Sequence, residues 1–328
     1  MSKLSSTLLA GAIGDILGSK TKNMTVDEIS QKYTISTIET MTNKNYTCHT
    51  FLNLVLAQQL CENNDITSEL LENLGKWQSN DYDDQLSSIL IKKQEKIPIF
   101  SNNINTVEAI TSTTSLGFLN QPDQELINKI GKYLLLTHVG NKDAIFSAFI
   151  HCKCINAIVN NKFKDSVTLF QSVLETSKIN STHFQKFNII KYCLDSPEFS
   201  FYDIPYELSG EINKFPKKSE DCLVCAYYIF FYYLHMEQVK PELLEGKPPP
   251  IVALLRTISM GGNTTAITKI VGELCGAFYG DSWIPAKWRG IQDEDNILSL
   301  GQKLTHKLQS QSSSLSSKPV FSSQSSSL

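Results

Sequence analysis

Along most of this 328-residue chain the apolar positions recur at helical rather than strand spacing. From Thr50, the residues Phe51, Leu52, Leu54, Val55 and Leu60 fall at helical spacings, and Ile66, Leu70, Leu71, Leu74 and Trp77 repeat the pattern. Asp143 to Val159 carries Ile145, Phe146, Phe149, Ile150, Ile155 and Ile158. Cys222 to Met236 is so aromatic that it predicts a central helix wrapped on nearly all sides. Leu8 to Ile13 reads as a first core helix, because Asp15 ends the apolar run too early for an export signal. Breakers separate these elements at Pro98, Pro122, Pro197, Pro205, Pro216 and the triple Pro248-Pro249-Pro250. No βαβ alternation, hairpin signal or repeat emerges, so the expected class is all-α, one large domain. The domain is expected over residues 1–308. The Ser- and Gln-rich stretch 309–328 is expected to be a disordered tail, since it has too little apolar surface to offset ordering entropy.

Charge narrows the function classes. Thirty basic and 33 acidic residues give a net charge of -3, which provides no long-range field toward nucleic acid or an anionic membrane. The longest later apolar run, Ala226 to Leu234, is far short of the ~20 residues a membrane helix needs. Eight cysteines without a secretory signal point to a reducing compartment, and a cytoplasmic location is expected.

Two glycine-containing segments carry the candidate chemistry. The first is Gly11-Ala12-Ile13-Gly14-Asp15-Ile16-Leu17-Gly18, with a lone acid in an apolar run. Such an acid must be paired or hydrogen-bonded, and its plain reading is a brace on a neighbouring backbone. The second is Met260-Gly261-Gly262-Asn263-Thr264-Thr265-Ala266, a polar turn opening an apolar helix. On that helix Gly272, Gly276 and Gly280 lie four apart, a stripe that predicts close approach of another backbone. Gly280-Asp281-Ser282 ends it, and Ile284-Pro285 and Trp288 follow.

Both segments resemble the two signature ends of the ADP-ribosylglycohydrolase family. The resemblance extends through Tyr46-Thr47-Cys48-His49-Thr50, where that family has a T-D-D-T motif, and through Thr137-His138, and it covers roughly Leu8 to Trp288. It implies an all-α orthogonal helical bundle, a dinuclear Mg²⁺ or Mn²⁺ site, and hydrolysis of glycosidic bonds between ADP-ribose and a protein side chain or small acceptor. Two neighbouring divalent cations need hard oxygen ligands and several negative charges. The family supplies them as paired aspartates in each of the two turns.

At those positions this chain departs from the pattern. The aspartates of the first turn correspond to Cys48 and His49, and those of the second to Asn263 and Thr265; Thr47, Thr50 and Thr264 are kept, and Ala266 replaces a threonine. The family's catalytic glutamate corresponds to Lys22. Five acids thus give way to one base and four neutral groups, a change of about six charge units with His49 neutral. Asp27 and Glu28 are the only nearby acids available as a substitute base.

Three readings stand for the substituted site. It is degenerate and noncatalytic, or it keeps altered activity through Asp15 and off-motif acids such as Asp281, or it takes a different metal. Cys48 and His49 suit Zn²⁺, but completion would fall to His138, His151 or distant cysteines, and their spacing gives no support. The expectation is a protein of the hydrolase class by resemblance, with no intact catalytic residue and no tightly bound cofactor. Its degenerate metal positions are Thr47, Cys48, His49, Asn263 and Thr265. The cleft is expected to bind ADP-ribose or an ADP-ribosylated protein, or to serve a noncatalytic structural role, with Asn263, Thr264, Thr265, Lys22 and His49 around it; the alternatives are an active glycohydrolase with a rearranged site and a purely structural or interaction protein. Cys222-Leu223-Val224-Cys225 and Cys152-Lys153-Cys154 read as buried structural cysteines, His138 as a core or capping histidine, and Lys92 to Lys96 as a solvated helix face.

Overall fold

The computed structural model describes residues 1–41, 43–63, 65–66, 107–137, 141–163, 165–195, 204–210 and 215–316. Its described elements are α1 (Lys3–Ser19), α2 (Val26–Lys32), α3 (Ile35–Ile38), α4 (Cys48–Glu62), α5 (Glu108–Thr111), α6 (Asp123–Thr137), α7 (Lys142–Val159), α8 (Ser166–Ser177), α9 (Ser181–Asp195), α10 (Ile204–Ser209), α11 (Ser219–Val239), α12 (Pro249–Ser259), α13 (Thr264–Tyr279) and α14 (Glu294–Ser316). Short 3₁₀ turns interleave at Thr114–Phe118, Pro241–Leu244 and Ala286–Trp288. Among the described residues there is no strand, only a single parallel bridge between Phe215 and Gly262. The all-α expectation is met. The expected helix from Ile66 to Trp77 falls, beyond Ile66, outside the described residues, as do His138 and Lys92 to Lys96.

The glycine pattern shapes the centre. Helices α1 and α13 run antiparallel in near backbone contact: a Cβ on Gly18 would lie 2.5 Å from the Thr264 carbonyl oxygen, on Gly14 2.3 Å from that of Thr268, on Gly272 2.3 Å from that of Ala10, and on Gly276 2.3 Å from that of Ser6. Gly280 does not extend this stripe. It ends α13 with φ +76, a conformation that a side chain disfavours, and has open space around it. Every residue of α1 from Leu4 to Gly18 is buried.

The aromatic helix α11 lies at the centre as its composition predicts, with Cys222 to Phe231 all 3% exposed or less. Phe187 and Tyr227 meet edge to face at 5.5 Å between ring centroids, and Phe170 and Phe231 do so at 5.0 Å. Prolines sit where they cost least, with Pro249 and Pro250 opening α12, where their missing N–H groups would have no partner. The last helix runs to Ser316, past the boundary expected at residue 308. Ile297, Leu300 and Leu304 bury one face of α14, and an established helix adds a backbone hydrogen bond per further residue, so polar serines can continue it.

Candidate functional site

Two helix starts bear the substituted motifs, and α1 packs against both. Thr47 caps α4, its Oγ1 accepting from the His49 N–H at 3.4 Å. Asp15, buried on α1, takes the rest of that helix end. Its Oδ1 accepts from the Thr47 hydroxyl at 2.7 Å, and its Oδ2 accepts from the backbone N–H groups of Thr47 and Thr50 at 3.0 and 3.1 Å. This is the bracing role expected of a lone acid in an apolar run. Burial pushes the Asp15 carboxyl above its ordinary range, opposed by hydrogen bonds from Thr50 and Thr47 and by the Lys269 cation.

The second start, that of α13, is folded against the turn after α1. The Asn23 N–H donates to the Gly262 carbonyl at 2.7 Å, and the Gly262 N–H donates to the Met24 carbonyl at 2.7 Å. Gly261 and Gly262 both have φ near +70, and a Cβ on Gly261 would lie 2.1 Å from the Met24 oxygen, so glycine is required there. The Thr264 hydroxyl turns inward, donating to the Gly18 carbonyl at 2.7 Å and accepting from Thr21 Oγ1 at 3.2 Å. Asn263 does not cap α13 with its side chain; its Nδ2 donates to Cys222 Sγ at 3.6 Å. Thr265 is fully buried, and its Oγ1 has no hydrogen-bond partner among the described residues. Lys22 is exposed on the adjoining turn.

Cys48 and His49 are buried in the first turn of α4. His49 Nδ1 lies 3.0 Å from Thr111 Oγ1 and its Nε2 lies 4.0 Å from Glu108 Oε1, so α5 supplies both neighbours. Sequence reasoning passed over Glu108 and Thr111, because they lie in no motif and on a helix of only four residues. It also passed over a buried polar array one turn deeper on α13. Lys269 donates to Glu273 Oε1, Glu273 Oε2 lies 3.2 Å from His151 Nε2, and His151 Nδ1 lies 3.3 Å from the Tyr227 hydroxyl. All but Lys269, at 1%, have no exposed surface. Burial favours a neutral Glu273, but Lys269 and His151 hold its carboxyl below the ordinary range. Thr265, Lys269 and Glu273 lie four apart, so charges on one face of an otherwise apolar helix were the available signal.

The remaining candidates have other employment. Glu28 forms a capping box with Thr25 at the start of α2, and Asp281 pairs with Arg289 Nη2 at 2.6 Å. His151 belongs to the Glu273 array, and none of the eight cysteines forms a disulfide. Burial pushes the thiols of Cys152 and Cys154 up to about 12 and those of Cys222 and Cys225 well above their usual value. Neutral thiols of this kind are packing groups, which agrees with the structural reading of both cysteine pairs.

The donor set at the motif positions does not fit two divalent cations. Thr47 and Thr264 hydroxyls are committed to Asp15 and Gly18, Asn263 donates to sulfur, and a thiol and an imidazole stand in place of carboxylates. Among the described residues no group of three His, Cys, Asp or Glu side chains is placed to hold a metal ion.

A model of the ADP-ribosylglycohydrolase family matches residues 1–314. A solved structure described as an "ADP-ribosylglycohydrolase-related protein complex" superposes with a TM-score of 0.69 at 14% sequence identity, covering 94% of this chain and 98% of that one. At that identity the likeness is one of fold. No curated protein matches the sequence. The match over nearly the whole chain, together with the glycine-bearing helix α1 packed against the starts of α4 and α13, leads to one assignment: the chain belongs to the ADP-ribosylglycohydrolase family.

Proposed function

We propose that this chain is a noncatalytic member of its family that binds ADP-ribose, free or attached to protein, without a divalent metal. One observation carries the reading. Neither helix-start motif contains an acid, and Asp15, the one acid that α1 brings to them, has both of its oxygens spent on Thr47 and Thr50. Glycosidic cleavage needs an acid for the leaving group and negative ligands for any metal that polarises the anomeric centre. Lys22, exposed beside the α13 start, and Asn263, partly exposed, supply polar contacts in place of that chemistry. Eight cysteines with no disulfide among them support a reducing, cytoplasmic setting. No helix among the described residues is long and apolar enough to cross a membrane.

The test is release of ADP-ribose from arginine-linked and serine-linked peptides in the presence of Mg²⁺ or Mn²⁺. No release above the uncatalysed rate is expected. Release that EDTA abolishes would establish an active enzyme with a rearranged metal site.

A further inference from the structure

We infer that the N-terminus of α13 is a metal-free anion site that takes a phosphate group. The inference rests on the ADP-ribose reading and deepens it. Helix α13 spans 16 residues, has no acid in its first turn and receives no side-chain cap. The backbone N–H groups of Thr264, Thr265 and Ala266 precede its first helical hydrogen bond, from the Ile267 N–H to the Asn263 carbonyl, and meet no acceptor among the described residues. Such an end carries roughly half a positive charge.

A second observation points the same way. Thr265 Oγ1 is buried and has no hydrogen-bond partner among the described residues, an arrangement that is unfavourable for a polar group. Side chains on a helix lean toward its N-terminus, and Thr265 is the second residue of α13, so its side chain is directed toward the end that carries these amides. The Asn23 and Gly262 backbones hold the Lys22 turn against the same end, which brings an exposed cation within the site's surroundings. Glu108, whose charge reaches Cys222 near this end, faces His49 Nε2 at 4.0 Å. Amides, a hydroxyl and an ammonium make a donor set for phosphate oxygens, with no carboxylate in the helix start to repel them.

The experiment is calorimetric titration with pyrophosphate, orthophosphate and ADP-ribose in EDTA. Pyrophosphate is expected to bind the wild type and to compete with ADP-ribose. Lys22→Gln is expected to weaken it about tenfold, Thr265→Val severalfold, and Thr265→Asp to abolish it while circular dichroism reports an intact fold. Absence of pyrophosphate binding overturns the site, as does binding that Thr265→Val and Thr265→Asp leave unchanged, even where Lys22→Gln weakens it. ADP-ribose binding without competition by pyrophosphate would remove the anion site and leave the ADP-ribose reading standing. Pyrophosphate binding without ADP-ribose binding would do the reverse.

Discussion

Asp15 shows what one side chain does when its neighbours change. It accepts three hydrogen bonds from the start of α4 while fully buried, and an amide in its place keeps one acceptor oxygen and sets its NH2 either against the Thr47 hydroxyl, which must then reverse its bond, or against the Thr47 and Thr50 N–H groups. Asp15→Asn is expected to destabilise the fold by about 2–4 kcal/mol, read as a lower urea midpoint at unchanged slope. His183 is the other informative residue. Its Nε2 lies 2.8 Å from Ser147 Oγ, and burial lowers its pKa to about 4, partly offset by Glu220 and Asp143. The folded state therefore binds the His183 proton less well than the unfolded state. Stability is full above pH 6.5 and falls as pH drops from 6.5 toward 4, by about 3 kcal/mol from this group. His183→Gln keeps a donor for Ser147 and is expected to flatten that part of the stability profile; an unchanged slope would assign the loss to other groups.

Between elements, the α1–α13 contact sets the spacing of the two motif-bearing starts. A Cβ on Gly14 would stand 2.3 Å from the Thr268 carbonyl oxygen, and backbone on both sides leaves little room to yield. Gly14→Ala is expected to cost about 3 kcal/mol or more, whereas Gly131→Ala, in α6 with nothing within 4 Å, is expected to gain about 0.5–1 kcal/mol. Thermal unfolding of both variants checks the opposite signs. This contact was legible in the sequence, because Gly272 and Gly276 repeat at the helical period; Gly280 shares the period but terminates the helix. The two helix starts were legible too, from Thr47 and Thr264 beside their glycines or hydroxyls. The Lys269, Glu273 and His151 array was not, since Glu273 and His151 are 122 residues apart and only packing brings them together. Glu108 beside His49 was hidden for the same reason, its partner lying on another helix.

At the scale of the whole molecule, the bundle and the cleft chemistry have separate supports. The close α1–α13 packing, the aromatic α11 and the Asp15 brace hold the helix starts in place with no metal in the account. Lys269 sits one turn below Thr265 and neutralises Glu273, so the deeper part of α13 contains its own cation. The fold is therefore expected to tolerate loss of carboxylates that a dinuclear site would need. The most direct test is calorimetric titration of the full chain with ADP-ribose in EDTA and again in Mg²⁺. Binding with the same Kd in both buffers is the expected result, and binding that appears only with Mg²⁺, or in neither buffer, would contradict the account.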